Sequence, residues 1–345
     1  MESKDAQPVR ATPFKDGYAM PGRFERHART LLTWPPVEEK VGTDVDGFRD
    51  ELEATARAIS LHEPVTLVVD PRDEEDARSR LGGEVELLVV PVDCCWLRDN
   101  GPIFVRNKAG DVAGVHFGFN GWGGRFPCGK TQEMPSRVVE HLGFRCYRTP
   151  FICEGGGVSV DGEGTLITTE QVMLNDNRYR GMSRDHIEAM LHDYLGITQV
   201  IWLGLGLIED TETDGHVDNV VEFIEPGRVL VQVVSGHSNP NHGLLQENLR
   251  RLANATDAKG RPLDIVEMPV LPYQQQGSGR YVIPYTNAYV CNGAIIAPEV
   301  DPRLDEEGWA ILESAFPGRE IVPVRSLWQA VGGGGIGCIT QQVPA

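Results

Sequence analysis

A run of glycines near the C-terminal end constrains this chain more than any other feature. Five of the six residues at 332–337 are glycine, the sixth is Ile336, and Cys338 follows directly. Glycine opens backbone dihedrals that are closed to other residues and lets a ligand come close to the backbone, but it weakens strands. The tail at 339–342 is too short to form an element of its own. We therefore interpret Cys338 as a residue presented for chemistry.

A dinucleotide-binding loop is an alternative interpretation of the same glycine run. Gly332, Gly334 and Gly337 satisfy the pattern G-x-G-x-x-G, which holds phosphates where a helix follows within a βαβ unit. Eight residues follow Gly337, and this leaves no room for that helix, so we exclude the dinucleotide interpretation. A structural cysteine beside a tight turn is the other alternative, and residues elsewhere must decide between it and catalysis.

The bulk composition indicates a globular protein that does not bind nucleic acid. The length of 345 residues allows a sizeable core, and no linker divides the chain. We predict a single domain over 1–345, with 1–16 as a flexible N-terminal segment. The net charge of −18 argues against nucleic acid or an anionic membrane as partner and is compatible with a small cationic substrate. Without an apolar stretch of membrane length or a signal-peptide core, we expect a cytoplasmic protein.

The cysteines indicate a reducing compartment and no metal site. They number seven, an odd count, which fits free thiols better than a disulfide framework. Cys94 and Cys95 are adjacent and lie in no C-x-x-C pattern, and His237 and His242 have no cysteine nearby in the sequence. We therefore expect no zinc.

Strand-like segments outnumber the helices in the sequence pattern. A cap at Ser183 and a stop at Gly196 predict a helix at Arg184–Leu195, and apolar stripes predict helices around 48–59, 244–252 and 305–316. A hairpin is predicted over 158–169, and turn-bounded apolar runs predict strands at 64–70, 85–90, 102–105, 198–203, 228–234, 281–283, 294–296 and 320–324. The result is an α/β fold that is too strand-rich for a doubly wound sheet.

Four polar clusters lie at predicted turns or strand ends, where active sites are common. Asp99 precedes a Gly-Pro turn, Glu154 precedes three glycines, and Cys338 ends the glycine run. In the fourth cluster, at 212–219, an extended backbone would place His216 and Asp218 on the same side. Taken singly, these clusters have structural alternatives: a turn aspartate, a solvated glutamate, an acidic surface loop and a buried thiol.

Together the clusters predict attack on a cationic, amidine-type carbon. A thiol of pKa about 8.5 is mostly protonated at neutral pH, so a nucleophilic cysteine needs a base or a positive charge nearby. Carboxylates around it would oppose thiolate formation unless they serve a cationic substrate. A guanidinium group fits because it is planar, positive and able to pair with Asp99 and Asp218. Its charge would also favour the thiolate of Cys338.

Several of these segments resemble the agmatine deiminase family, within the bacterial-type peptidylarginine deiminases of the guanidine-modifying superfamily. The similarity runs from about Gly17 to the end of the chain, and the segments that carry it lie at 96–102, 119–124, 154–156, 212–219 and 332–344. The resemblance implies a single-domain, five-bladed α/β propeller of pseudo-repeated ββαβ units around a central substrate tunnel.

The resemblance also implies a reaction: hydrolysis of agmatine to N-carbamoylputrescine and ammonia, without a cofactor. By position, Cys338 matches the nucleophile that forms an S-alkylthiouronium intermediate. His216 matches the acid/base and Glu154 the carboxylate paired with it. Asp99 and Asp218 match the carboxylates that hold the guanidinium.

Two further matches and three differences concern the substrate. Trp96 and Glu212 match positions beside the alkyl chain and the distal amine. The family usually has asparagine and histidine where this chain has Gly335 and Gly337, and the loop at 203–210 also differs. These differences bear on the substrate or the rate more than on the class of reaction.

Other functions with the same residues are deimination of free or peptide-bound arginine, amidino transfer to an amine, and a catalytically silent guanidine-binding protein on the same scaffold. Each takes a small cationic guanidine compound as its ligand. A homo-oligomer is compatible with all of them.

Overall fold

The fold alternates short sheets with helices, in a computed structural model that describes residues 11–37 and 44–345. The helices of eight residues or more are Val45–Ser60, Glu74–Leu81, Met134–His141, Arg184–Leu195, His242–Ala253 and Asp305–Ala315. Shorter helices are Leu97–Asn100, Gly121–Gly124, Glu170–Met173, Asp176–Tyr179, Leu327–Val331 and Ile336–Ile339. The 3₁₀ turns are Phe14–Asp16, Thr131–Glu133, Gly155–Gly157, Val217–Asn219 and Tyr285–Asn287. In these two ranges, no helix combines the length and apolar character needed to cross a membrane.

The strands of the described residues form six sheets. In their order across each sheet, the strands of the two largest sheets are Tyr18–Ala19, Ile103–Asn107, Val112–Gly118 and Arg145–Ile152, and Thr340–Pro344, His27–Thr33, Val65–Val69 and Glu86–Val89. The three-stranded sheets comprise Gln199–Leu203, Thr165–Thr169 and Ser159–Val160; Val221–Glu225, Arg228–Gln232 and Asp264–Met268; and Tyr289–Cys291, Ala294–Glu299 and Glu320–Arg325. Tyr273–Gln276 and Gly279–Val282 form a separate hairpin.

Five of these sheets share one local topology. In each, two antiparallel strands are followed by a helix and by a strand that runs parallel to the second. A short helical turn precedes the first strand of every unit. These turns are Leu97–Asn100, Gly155–Gly157, Val217–Asn219, Tyr285–Asn287 and Ile336–Ile339. Each turn contacts the next, and the last contacts the first, so the turns form a closed ring.

The apolar patterns that predict two of the helices are confirmed. Phe48, Leu52, Ala56 and Ile59 are all fully buried on the helix Val45–Ser60. The helix Arg184–Leu195 begins where the Ser183 side chain accepts a hydrogen bond from the His186 backbone, and it ends at Gly196 with a left-handed φ of 75°. These local signals were sufficient because each helix buries one continuous stripe.

Two expectations about short segments are wrong. The tail at 339–342, predicted to be too short for an element, lies mostly in the strand Thr340–Pro344, which pairs with His27–Thr33. Its hydrogen bonds come from that distant strand, so its own length does not limit it. The segment at 216–218 is not extended, because Val217–Asn219 is a 3₁₀ turn.

The predicted flexible segment at 1–16 is described only in part. Residues 1–10 lie outside the described residues. Phe14–Asp16 form a 3₁₀ turn, and the Asp16 carboxylate accepts a hydrogen bond from the Tyr147 hydroxyl.

Candidate active site

The ring of five short turns brings the predicted polar residues together. Four of the turns carry or adjoin residues that the sequence singles out, namely Trp96, Asp99, Glu154, His216, Asp218 and Cys338. The fifth turn contributes Asn287, which the sequence analysis missed. The topology therefore explains how residues spread over more than 240 positions reach one place: each sits at the same point of its own unit.

His216 and Glu154 form a buried pair. His216 Nε2 lies 2.7 Å from Glu154 Oε2, and both side chains are 1% exposed. On the other side of the imidazole, His216 Nδ1 lies 3.7 Å from Asp99 Oδ1. Burial by itself lowers the pKa of His216, but the charges of Asp99, Glu154 and Asp218 outweigh it and raise the pKa to about 10. The imidazole is therefore a cation at neutral pH and can act as a proton donor.

The two aspartates differ in how they are held. Asp99 Oδ1 accepts a hydrogen bond from the Gly156 backbone N–H at 2.9 Å, and its Oδ2 accepts one from Trp122 Nε1 at 3.0 Å. Asp218 is completely buried, and neither of its oxygens has a hydrogen-bond partner among the residues that the structure describes. The nearest cation, Arg23 Nη1, is 3.9 Å from Asp218 Oδ2. Burial raises the pKa of Asp218 to about 6, against the opposing charges of Arg23 and His216.

Cys338 lies beside these carboxylates as a buried thiol. Its Sγ donates to Asn287 Oδ1 over 3.4 Å, and the residue is 6% exposed. Burial first, and then the charges of Asp218 and Asp99, raise the pKa of the thiol well above its usual value. A cation bound between the thiol and the carboxylates would offset burial and the two negative charges, and would therefore lower the pKa of the thiol.

The glycine run lets bulky neighbours approach the nucleophile. A Cβ at Gly334 would lie 2.4 Å from the Trp96 ring, and one at Gly335 would lie 2.7 Å from Asn287 Oδ1. Gly333 takes a left-handed φ of 98°, which side chains resist. The run therefore brings the indole and the amide into direct contact with the loop that carries Cys338.

Cys338 opens onto a cavity of about 150 Å³. Its walls include Trp96, Asp99, Trp122, Phe126, Glu212, Thr213 and Val331. A neighbouring cavity of about 190 Å³ shares Glu212 with the first and is lined by Leu207 and Glu209, which belong to the loop at 203–210 that differs from the family pattern. Burial and the nearby Asp210 raise the pKa of Glu212. Trp96 and Glu212 thus lie on the same cavity as the nucleophile.

Gly156 packs at the centre of the charged cluster. A Cβ there would lie 2.5 Å from His216 Nδ1, 2.9 Å from Asp99 Oδ1 and 3.1 Å from Asp218 Oδ2. We expect Gly156→Ala to abolish turnover, because these groups must move apart to admit a methyl group. Turnover and circular dichroism of the purified variant check this. The matched control is Gly157→Ala, whose Cβ would meet only side-chain carbons, at 3.6 Å or more; a loss of similar size there would contradict the explanation.

Sequence reasoning missed three residues that hold the site. Trp122 lies within the segment 119–124 that carries the resemblance, yet its bond to Asp99 depends on an indole placed by the unusual turn Gly121–Gly124. Asn287 carries no signal in the sequence alone. Arg178, which binds both oxygens of Glu154 at 2.8 and 2.9 Å, lies in a polar stretch typical of a surface loop.

The thiol of Cys338 and the carboxylate of Asp99 line one cavity, and His216 and Asp218 lie close behind Asp99 around Gly156. This arrangement is compatible with a cysteine-dependent site for a small cation. The model of the Porphyromonas-type peptidyl-arginine deiminase family matches residues 19–344. The chain belongs to this family, as the resemblance predicted.

Full-length relatives agree with that assignment. The agmatine deiminase of Pseudomonas aeruginosa (strain LESB58) is 39% identical, over 97% of this chain and 98% of the relative. The agmatine deiminase of Pseudomonas fluorescens is 38% identical, over 98% of both. Among solved structures, the agmatine deiminase of Enterococcus faecalis superposes with a TM-score of 0.93 at 33% identity, covering 98% of this chain and 99% of that one.

Proposed function

We propose that the protein is a hydrolase that converts agmatine and water into N-carbamoylputrescine and ammonia. The observation that carries the proposal is Asp218, a fully buried carboxylate to which no described residue donates a hydrogen bond. Its ion-pair partner Arg23 lies 3.9 Å away, which compensates a buried charge poorly, so this position favours a cationic ligand. Full-length relatives named agmatine deiminase supply the identity of that cation.

The guanidinium group lies between the two aspartates in this proposal. Asp218 offers both oxygens, while Asp99 is fixed by its bonds to Gly156 and Trp122. A planar guanidinium paired with carboxylates at its edges presents its central carbon to a group above its face. Cys338 is the group placed to attack that carbon.

The first half of the reaction forms a covalent intermediate. The bound cation favours loss of the thiol proton to solvent, and the Cys338 thiolate attacks the guanidinium carbon. His216 transfers its proton to the departing nitrogen, the C–N bond breaks, and ammonia leaves. Because Glu154 holds Nε2, Nδ1 is the ring nitrogen that faces the site and donates. An S-alkylthiouronium group remains on Cys338.

The second half restores the enzyme. Neutral His216 takes a proton from a water molecule, and the resulting hydroxide attacks the thiouronium carbon. The C–S bond breaks as the proton of the added hydroxyl passes to the sulfur, and the neutral ureido product leaves. Cys338 is again a thiol, and His216 keeps the proton it took from water. Glu154 stabilises the imidazolium each time it forms.

The cavity favours an amine at the far end of the substrate. In the part of the chain that the structure describes, its charged wall residues are all acidic, and they include Glu212. An α-carboxylate would be repelled there, whereas an ammonium group would be attracted. Trp96 supplies an apolar surface for the alkyl chain. These features favour agmatine over arginine.

The same proposal includes the finer architecture. We propose that the five ββαβ units are the blades of a closed propeller, that they form a single domain over 1–345, and that the substrate enters along the propeller axis. The closed ring of contacts between the five short turns supports this arrangement.

Ammonia release from the purified protein tests the function, with agmatine, arginine and a blocked arginine peptide as substrates and Cys338→Ala as the inactive control. We expect turnover of agmatine, little or none of the other two, and none in the variant. Thermal stabilisation of Cys338→Ala by agmatine would separate loss of chemistry from loss of binding. If agmatine binds the wild-type protein but no guanidine compound is hydrolysed, the silent binding protein is the better description.

A further inference from the structure

A chain of alternating charges leads from His216 towards the protein surface. Its first links are His216 and Glu154, joined at 2.7 Å. Arg178 Nε then donates to Glu154 Oε1 at 2.8 Å, and Arg178 Nη2 donates to Oε2 at 2.9 Å. The Arg178 side chain is 1% exposed, so a guanidinium of the protein itself is committed to this carboxylate.

The other edge of Arg178 binds the loop that precedes His216. Arg178 Nη1 donates to Asp214 Oδ2 at 2.6 Å, and Nη2 donates to the Thr213 carbonyl at 3.1 Å. Asp214 also accepts two bonds from Arg125, at 2.7 and 2.8 Å, and one from Asn177 Nδ2 at 2.9 Å. Arg178 thus connects Glu154 to a second carboxylate, Asp214, whose two oxygens both accept hydrogen bonds from other residues.

The outer part of this chain of charges adjoins the walls of the cavity in sequence. Asp214 directly follows Thr213, and Arg125 lies three residues after Trp122; both Trp122 and Thr213 line the cavity. Among the described residues, Trp122 and Asp214 are the non-glycine residues with left-handed backbones, at φ 53° and 63°. Strained conformations of this kind persist where the surroundings hold them and gather at functional sites. Here the Arg125–Asp214 ion pair joins the two strained loops.

We propose that Arg178 is a positioning residue for the catalytic pair: it fixes Glu154 against His216 and, through Asp214, ties that pair to the two loops that line the cavity. This inference rests on the proposed function. It assigns Arg178 no contact with substrate, since both edges of its guanidinium are occupied by protein groups.

The charge of Arg178 also affects how the site holds protons. The charged and titratable groups that face Glu154 and Arg178 are His216, Asp99, Cys153, Tyr179, Asp214 and Arg125. Burial raises the pKa of Glu154, but the bonds and charges of His216 and Arg178 outweigh it and lower that pKa overall. Removing the Arg178 cation leaves a more negative site, so protons are held more tightly and the groups that must lose them do so at higher pH.

The experiment compares Arg178→Met, Arg178→Lys and Asp214→Asn with the wild-type protein. Two readouts are followed across pH: kcat/KM for agmatine, and the rate at which iodoacetamide alkylates the peptide carrying Cys338, measured by mass spectrometry. Arg148→Met is the matched control, because Arg148 pairs with Glu133 on the surface and is 55% exposed.

The alkylation midpoint is the pH at which the alkylation rate of Cys338 is half its maximum. We expect Arg178→Met to raise this midpoint, and the pH at which kcat/KM falls on the acid side, by about one pH unit. The same variant should have a reduced kcat and a nearly unchanged KM. Arg178→Lys keeps the charge but not the two-bond geometry, so it restores the midpoint while kcat stays low. Asp214→Asn removes a negative charge, so it lowers the midpoint. It also raises KM, because it breaks the ion pair with Arg125 that joins the two loops. Arg148→Met changes neither readout.

An unshifted midpoint in Arg178→Met, with activity reduced equally at every pH, would overturn the inference. If Arg178→Met does not fold, the other two variants test the inference. A wild-type midpoint in Arg178→Lys and a lowered midpoint in Asp214→Asn would support it, and any other result would overturn it. Alkylation needs no substrate turnover. Shifted midpoints without agmatine hydrolysis would therefore retain the role of Arg178 and reject the proposed function, whereas hydrolysis with unshifted midpoints would do the reverse.

Discussion

Asp218→Asn is expected to lower kcat/KM for agmatine by roughly 30- to 5,000-fold, the equivalent of about 2–5 kcal/mol for losing one member of a buried charge pair. Neither oxygen of Asp218 accepts a hydrogen bond from a described residue, whereas both oxygens of Asp99 do, so the bound guanidinium depends on Asp218 more than on Asp99. The loss falls on binding as well as on chemistry. Steady-state kinetics and calorimetric titration with agmatine check both.

The same variant is expected to be more stable than the wild-type protein without ligand. Asp218 is fully buried, and burial raises its pKa to about 6, about two units above the unfolded value, which corresponds to about 3 kcal/mol. A raised carboxyl pKa gives stability that is present below about pH 4 and lost as the pH rises to 6. The advantage of Asp218→Asn therefore grows between pH 4 and 6 and is constant above it.

Urea unfolding at pH 4 and pH 7 measures this difference. The matched control is Asp161→Asn. Asp161 is almost equally buried, but its Oδ1 accepts bonds from the Glu163 and Thr165 backbone N–H groups and its Oδ2 accepts one from the Thr165 hydroxyl. That control should lose stability, because an amide cannot accept all of those bonds. A destabilised Asp218→Asn protein would show that Arg23 already satisfies the carboxylate.

His216→Gln is expected to reduce kcat by about 10²- to 10⁴-fold, the usual contribution of general acid–base catalysis. In the wild-type protein, the His216 imidazole must be protonated to donate a proton to the departing nitrogen. The value of kcat/KM should therefore fall as the pH rises through about 10, the raised pKa of His216. The residual activity of the variant should lack that decline. A pH series of kcat/KM for both proteins measures it.

His186→Gln serves as the control for that substitution, because His186 is exposed on the helix Arg184–Leu195. It should match the wild-type protein at every pH. If His216→Gln keeps the decline near pH 10, another group is the proton donor and the pair with Glu154 has a structural role.

Sequence patterns predict the fold best where an element buries a continuous apolar stripe. The helix Val45–Ser60 is such a case. The strand Thr340–Pro344 is not, since it exists through pairing with His27–Thr33 at the other end of the chain. Arg145–Ile152 was missed for a related reason: its burial does not alternate along the strand, so the period-two pattern that predicts a strand is absent.

The site was predictable where chemistry and local backbone agree. Asp99, Glu154 and Cys338 stand beside glycines that allow close approach, and this drew attention to them. Arg178 had no such signal, because its partners Glu154 and Asp214 lie 24 and 36 positions away and only the folded chain shows that it is buried. The missing partner of Asp218 is likewise a property of three-dimensional packing.

The pairing of Thr340–Pro344 with His27–Thr33 has a consequence for how the protein is made. Four of the five units are complete once residue 325 has emerged from the ribosome, but the fifth waits for a strand that is synthesised after the nucleophile. The strand His27–Thr33, which is made early, therefore keeps an unpaired edge through most of translation. Deiminating activity arises in one step, when that edge is closed and Cys338 is carried into place, so a growing chain has no partly active form.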